Sequence, residues 1–226
     1  MKSVLDLFPN VVKYWKYFLE AIGETLIIVS ISIVLVILIG LLLGILLVII
    51  DDGGICENKA LNRIVPKVIN VIRAVPFVIL LTLLMPVTRA IVGTAIGIKG
   101  AIVPLVVCLA PFVARHMEVA IRDIDPGVIE MAKALGYSKP YIIFRIMLKE
   151  AREGIIRVTV TSAISLVNTS TMAGVIGGGG IGDFAIRYGY TRMMTDIAWI
   201  SVIVLLIIIF LIQGSGNLVL KKLSTN

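Results

Sequence analysis

Thirteen residues, Thr159 to Thr171, hold eight hydroxyl or amide side chains: Thr159, Thr161, Ser162, Ser165, Asn168, Thr169, Ser170 and Thr171. The run that contains them, Val158 to Gly182, has no charged residue. Inside an apolar helix such groups either bond across to neighbouring helices as packing contacts or line a path for a polar solute. Eight in thirteen is more than packing requires, which favours a lined path with Ser165, Asn168 and Ser170 among its residues; both readings stand.

Nothing beside them supports covalent chemistry. A serine nucleophile needs a base within hydrogen-bond reach. The one histidine, His116, has only Glu118 nearby in sequence and reads as a helix-end residue. Cys56 and Cys108 lie far apart, and Cys108 sits in an apolar run, so neither a disulfide nor a metal framework is expected. The string GGGGIG at 177–182 satisfies G-x-G-x-x-G in form. A dinucleotide site would need a preceding strand in a soluble βαβ unit, and no G-x-x-x-x-G-K-[ST] exists to cradle ATP phosphates. Gly174, Gly177, Gly179, Gly180 and Gly182 read instead as an extended, flexible turn on the outer side, where the lack of a side chain lets backbones pass closely. A membrane-embedded enzyme therefore lacks its catalytic pair.

These residues must be positioned by membrane helices. The 226-residue chain is 59% hydrophobic and 15% charged, with a mean hydropathy of +1.07, against about 25% charged in soluble domains. The expected fold is an all-α membrane protein, one domain over 1–226, with spans at about 25–50, 64–87, 98–120, 155–176 and 196–220. Residues 1–24 form an external, interfacial segment with Tyr14, Trp15, Tyr17 and Phe18, and residues 121–153 a cytoplasmic loop. The first apolar run is too long for a cleavable signal peptide. No charge falls in the middle of the first, fourth or fifth span, unlike proton- or ion-coupled carriers.

With that loop inside, 14 of the 21 Lys and Arg residues lie on the cytoplasmic side and 7 outside. The positive-inside rule then puts the N-terminus outside and the C-terminus in the cytoplasm. The same rule accounts for the net charge of +7 without nucleic acid.

The loop is itself patterned. Asp125-Pro126 caps and opens a helix, and Gly136 ends it in the left-handed conformation. Ser138 can cap a second helix carrying Ile142, Ile143, Ile146 and Met147 at helical spacing. A projecting helix with apolar anchors suits a partner's groove, and a passive channel would have no use for it.

Here the chain resembles the permease subunits of bacterial and archaeal ABC importers. Their pattern is E-A-A, three residues, G, nine residues, I-x-L-P. It occurs as Glu130-Met131-Ala132, Gly136, Ile146 and Leu148, with Met131 in place of an alanine and Lys149 in place of the final proline. "AVPFVILLTLLMPVTRAIVGTAIGIKGAIVPLVVCLAPFVAR" (74–115) and "TMAGVIGGGGIGDFAIRYGY" (171–190) are similar to the methionine-importer branch.

The resemblance implies five spans per subunit and a coupling helix between the third and fourth. Two copies would form the pathway in the cell membrane, moving methionine, or alternatively another small polar solute or amino acid. Two cytoplasmic ATP-binding subunits would dock at Glu130, Ala132, Gly136, Ile142, Ile146 and Leu148. ATP and magnesium would bind those subunits, leaving this chain without cofactor or catalytic residues. An external substrate-binding lipoprotein would deliver the solute. Met172, with Asn168, Ser165 and Ser170, would stand at the gate.

The orientation is open to a direct check. A reporter active only in the cytoplasm should stay silent when fused to the N-terminus and give signal when fused to the C-terminus; the reverse pattern would invert the topology.

Overall fold

The computed structural model describes residues 8–224, and their regular structure is helical throughout. Lys2 and the first seven residues of the expected interfacial segment lie outside the described residues.

A short helix α1 (Pro9–Lys13) turns at Tyr14 into α2 (Trp15–Ile49). Residues 15–24 of the expected interfacial segment are helical and continuous with the first candidate span: Trp15, Tyr17 and Phe18 occupy the opening turns of a 35-residue helix. No proline falls between Pro9 and Pro66, so nothing forces a break. Asn58 caps α3 (Lys59–Ala74), its side chain accepting from the N–H groups of Ala60 and Leu61 at 3.1 Å. Pro76 disfavours helical geometry at Val75, and α3 stops there.

Helix α4 (Phe77–Leu83) leaves at 103° to α3 and is followed by α5 (Met85–Val92). The run 64–87, expected as one span, is thus a sharply bent pair. Helix α6 (Gly97–Arg122) stays continuous through Pro104 and Pro111. The loop folds as α7 (Pro126–Ala134), α8 (Lys139–Tyr141), a π-helical turn (Ile142–Met147) and α9 (Leu148–Glu150). Helix α10 (Arg152–Ala173) ends in a 3₁₀ turn to Ile176. Helix α11 (Gly180–Phe184), a π-helical turn (Ala185–Tyr190) and α12 (Thr195–Ser224) complete the order. Among the described residues α2, α6, α10 and α12 are long and apolar enough to cross a bilayer, and the bent α3–α4 pair is the fifth candidate.

The chain forms two compact units. The first comprises residues up to Val34, Pro76–Val106 and Ala163–Gly214. Its core packs Phe18, Ile181, Phe184, Tyr188 and Ile197, with ring centroids 5.7 Å apart for Phe18–Phe184 and 5.0 Å for Phe184–Tyr188. Asn10 donates from its backbone and its side chain to the Asp196 carboxylate, both at 2.9 Å, which ties α1 to the start of α12.

The second unit comprises Leu35–Val75, Val107–Ser162 and Ser215 onward. Its core joins Ile45 and Ile121 to Ala132, Ile142, Ile143, Met147 and Ala151. Within it α2 and α6 approach closely at Gly40 and Gly44. A Cβ on Gly44 would stand 2.6 Å from the Met117 Cβ and 3.0 Å from the Ala114 carbonyl oxygen. Small residues four apart let two backbones meet where lipid gives helices no hydrophobic reason to associate.

Gly44→Val should therefore lower the thermal unfolding midpoint in detergent, by overpacking worth about 1–3 kcal/mol. Gly23→Ala, where a Cβ meets nothing within 4 Å, should not. Equal midpoints for the two variants would remove the close-approach argument.

Candidate functional site

The projecting loop is built by local rules and then pinned by packing. The Asp125 side chain accepts from the Gly127 N–H at 2.8 Å and caps α7. Gly136, at φ +76°, ends it: the Gly136 N–H reaches the Lys133 carbonyl at 3.0 Å and the Tyr137 N–H reaches the Ala132 carbonyl at 3.2 Å. That pair of bonds is a Schellman closure. Ser138 stands at the start of α8 without a side-chain capping bond. The π turn then widens the helix to i→i+5 spacing, which brings Ile142, Ile143 and Met147 to the same buried side.

That burial corrects the expected docking set. Ala132 and Ile142, the latter only 2% exposed, are core residues of their own chain, and Ile146 and Leu148 pack half-buried against the same cluster. Only Glu130 and Gly136 of the six are exposed. The loop instead presents Met131, Leu135, Tyr137, Tyr141 and Phe144, with Leu135 at 65% and Phe144 at 58% exposure. The Tyr137 and Tyr141 rings stack with centroids 4.8 Å apart. Sequence reasoning missed this patch, although large apolar residues in an otherwise charged loop were a visible signal. The turn into α10 falls at buried Ala151, two residues beyond Lys149, so here it is made by a small packed residue without a proline.

A polar network braces the root of the loop. Arg115 donates to Glu118 at 2.7 Å and to the Asn70 side chain at 3.3 Å. Arg122 reaches Glu118 at 3.0 Å and Asp51 at 2.7 Å, and Asn62 donates to Asp51 at 2.9 Å. Glu118 is buried between the two guanidinium groups. The Arg122 hydrogen bond holds the Asp51 carboxyl below the usual carboxylate range. The i, i+3 and i+4 spacing of Arg115, Glu118 and Arg122 was legible in sequence. His116 takes no part; its Nδ1 lies 2.9 Å from the Phe112 carbonyl oxygen.

On α10 the hydroxyls bond within their own helix. Thr159 donates to Ile155 at 2.8 Å, Ser162 to Val158 at 2.6 Å, Thr169 to Ser165 at 2.8 Å and Thr171 to Asn168 at 2.7 Å. They are not bridges between helices. Ser170 is buried and donates to Val167 at 2.7 Å, which removes it from the exposed face. Ser165, Asn168, Met172 and Val175 follow one another at spacings of three and four, so they share a face. Ser165 is half-buried; Asn168, Val175 and Met172, at 47%, are exposed. The Asn168 amide finds no partner among the described residues. An amide left bare in hydrocarbon costs several kcal/mol, so this face is suited to water or to another polar surface.

The glycine turn is shorter and tighter than expected. Only 177–179 are non-helical; Gly180 and Gly182 belong to α11, and Gly174 begins the 3₁₀ turn.

Comparison with known proteins places this geometry. Residues 40–224 match the family model described as binding-protein-dependent transport system inner membrane component. The chain is 38% identical over 204 residues to a probable D-methionine transport system permease protein of Vibrio cholerae, covering 90% of this chain and 91% of that one. It is 38% identical over 174 residues to the methionine import system permease protein of Bacillus subtilis, covering 77% and 78%. A chain of the MetNI methionine ABC transporter, solved in an inward-facing conformation, superposes with a TM-score of 0.90 at 36% identity, covering 93% and 97%.

The Asp51 contact has a pH signature. Ionised Asp51 is favoured by the fold, so its contribution is present above the ordinary carboxylate pKa and lost as pH falls through the lowered value. Hydrogen-exchange protection at Gly54 and Cys56, whose N–H groups bond to Asp51 and Ile49 carbonyls, should fall across that acidic window. Asp51→Asn should flatten the dependence, and an unchanged pH profile in that variant would dismiss the contact as its source.

Proposed function

The chain belongs to the family of binding-protein-dependent transport system inner membrane components, and from that premise we propose that it is the permease subunit of an ATP-driven methionine importer. The observation that carries the substrate is the near full-length likeness to methionine permeases. Methionine is a zwitterion, and taking both its charges through hydrocarbon unpaired is prohibitive. A polar-lined route is required, and the α10 face with Ser165 and Asn168 supplies groups for it.

The assembly is two copies of this chain about a two-fold axis, the usual symmetry of identical subunits. Two ATP-binding subunits sit on the cytoplasmic side, with ATP and magnesium bound to them. Their docking surface is Met131, Leu135, Tyr137, Tyr141 and Phe144, joined by Glu130 and the Gly136 turn. Because Ile142, Ile143 and Met147 are buried against α2 and α6, displacement of the exposed patch carries those helix ends along, a rigid-body switch between inward- and outward-facing states. Met172 gates the path: an unbranched, flexible side chain can seal and then yield.

The N-terminus lies outside. An external receptor lipoprotein meets the turn after α11, where Tyr190 and Met193 are 78% and 80% exposed. Met193 alone among described non-glycine residues has positive φ, at 56°. A strained, bare apolar tip of this kind is better suited to a partner than to folding.

The test uses the chain reconstituted in vesicles with its ATP-binding subunits and receptor. Methionine uptake should require both partners and ATP. Leu135→Ala with Phe144→Ala should weaken ATP-binding-subunit affinity by about tenfold or more, as exposed apolar anchors do. Uptake by the chain alone would overturn the reading, and undiminished affinity would overturn the docking surface.

A further inference from the structure

Helix α11 begins without a cap of its own. Its N-cap position is Gly179, and residues 177–179 offer no side chain to its first N–H groups. Helix starts leave such donors orphaned unless something else accepts from them. Here the acceptors come from α2, 156 positions upstream. The Gly180 N–H donates to Glu24 Oε2 at 2.7 Å, and the Ile181 N–H donates to Thr25 Oγ1 at 2.8 Å. Thr25 in turn donates to the Ala21 carbonyl at 3.0 Å.

The glycines are what admit these groups. A Cβ on Gly179 would lie 2.8 Å from Glu24 Oε2, and one on Gly180 would lie 2.6 Å from Thr25 Oγ1. Helix α11 is also seated on the end of α10. A Cβ on Gly174 would be 2.2 Å from the Asp183 nitrogen, and one on Gly182 would be 2.3 Å from the Thr171 oxygen. Thr171 and Gly174 flank Met172 and Ala173. A continuous run of contacts therefore leads from the Glu24 and Thr25 side chains, through the backbone of α11, to the end of α10 that bears Met172.

We propose that Glu24 and Thr25 are positioning residues for the gate: acting through α11, they set where the end of α10 stands and so hold Met172 in register. This rests on the reading of Met172 as the gate. The two contacts differ in kind. Thr25 is buried, so the Ile181 N–H has no water to turn to if that bond opens. Glu24 is half-exposed and lines a cleft of about 300 Å³ with Tyr17, Glu20, Asp183 and Arg187. Water there can replace its bond to Gly180. Thr25 is the pivot, and Glu24 is the releasable catch.

The test compares Glu24→Ala with Glu24→Gln in the full assembly in vesicles. Gln keeps a carbonyl oxygen that accepts from Gly180; Ala does not. Hydrogen exchange at 180–182 should rise about tenfold in the Ala variant, the scale of a lost bond to a charged acceptor. Substrate-independent ATP hydrolysis should rise with it, while the KM for loaded receptor stays unchanged. The Gln variant should return both toward wild type. Exchange at 180–182 that is unchanged in the Ala variant overturns the proposal, and so does equal impairment in Ala and Gln. Should Glu24→Ala fail to insert, Thr25→Val against Thr25→Ser carries the same comparison at Ile181. Exchange reports the catch whatever Met172 does. Loss of the gate reading would show separately, as Met172→Ala with unaltered transport and ATP hydrolysis.

Discussion

A backbone N–H or C=O has no partner in hydrocarbon, and this organises the molecule. Continuous helices satisfy the rule by themselves, which is why apolar runs become α2, α6, α10 and α12. The informative places are those where a helix stops. At Val75–Pro76 the chain bends by 103°. After Ala173 it makes a 3₁₀ turn, and the Gly178 N–H returns to the Ala173 carbonyl at 3.0 Å. The Gly97 N–H meets the Gly177 carbonyl at 2.9 Å, and Gly180 and Ile181 borrow acceptors from α2. The break at Val75 closes on local bonds, whereas the turn at 177–181 is bound by groups from Gly97, Glu24 and Thr25 and so links elements that sequence separates.

The same accounting applies to charge. Glu118 is tolerable near the bilayer because two arginines bond to it, and breaking one partner of a buried ionic cluster costs more than the cluster contributes. The cluster also has reach. Through Arg115 it touches α3 at Asn70, and through Arg122 it touches the turn at Asp51. The end of α6 that launches the projecting loop is thereby fixed on two sides.

Much of this was legible in the sequence, for reasons that differ by element. The Asp125-Pro126 start and the Gly136 stop follow local rules that need no knowledge of neighbours, and both stand in the structure. Pro76 was a visible signal of the break between α3 and α4 that the expectation of one span over 64–87 left unused. Which apolar residues of the loop face inward was not legible. Ile142, Ile143 and Met147 on one side and Tyr137, Tyr141 and Phe144 on the other are all apolar at helical spacing, and only packing against Ile45 and Ile121 separates them. Ser170 was misjudged similarly: its type suits a path, but its angular position on α10 turns it into the core. The Glu24–Gly180 contact lay beyond sequence reasoning because 156 positions separate its partners.

The partition of the loop also bears on how it transmits force. A lever moves its load only if it is rigidly attached to it. Burying a side chain the size of Ile or Met is worth about 1.5–3 kcal/mol, and Ile142, Ile143 and Met147 are all buried with Ala132 beside them. Tyr137, Tyr141 and Phe144 are left exposed. The inner side is covalently continuous with α6 and α10 and is braced by the Glu118 cluster, whereas a partner on the outer side would hold by contact alone. In the docking proposed above, the inner attachment would outlast the outer contact, and the loop would keep its shape as it moves. A loop whose Ile142, Ile146 and Leu148 faced outward, the docking set the sequence suggested, would lose that inner attachment.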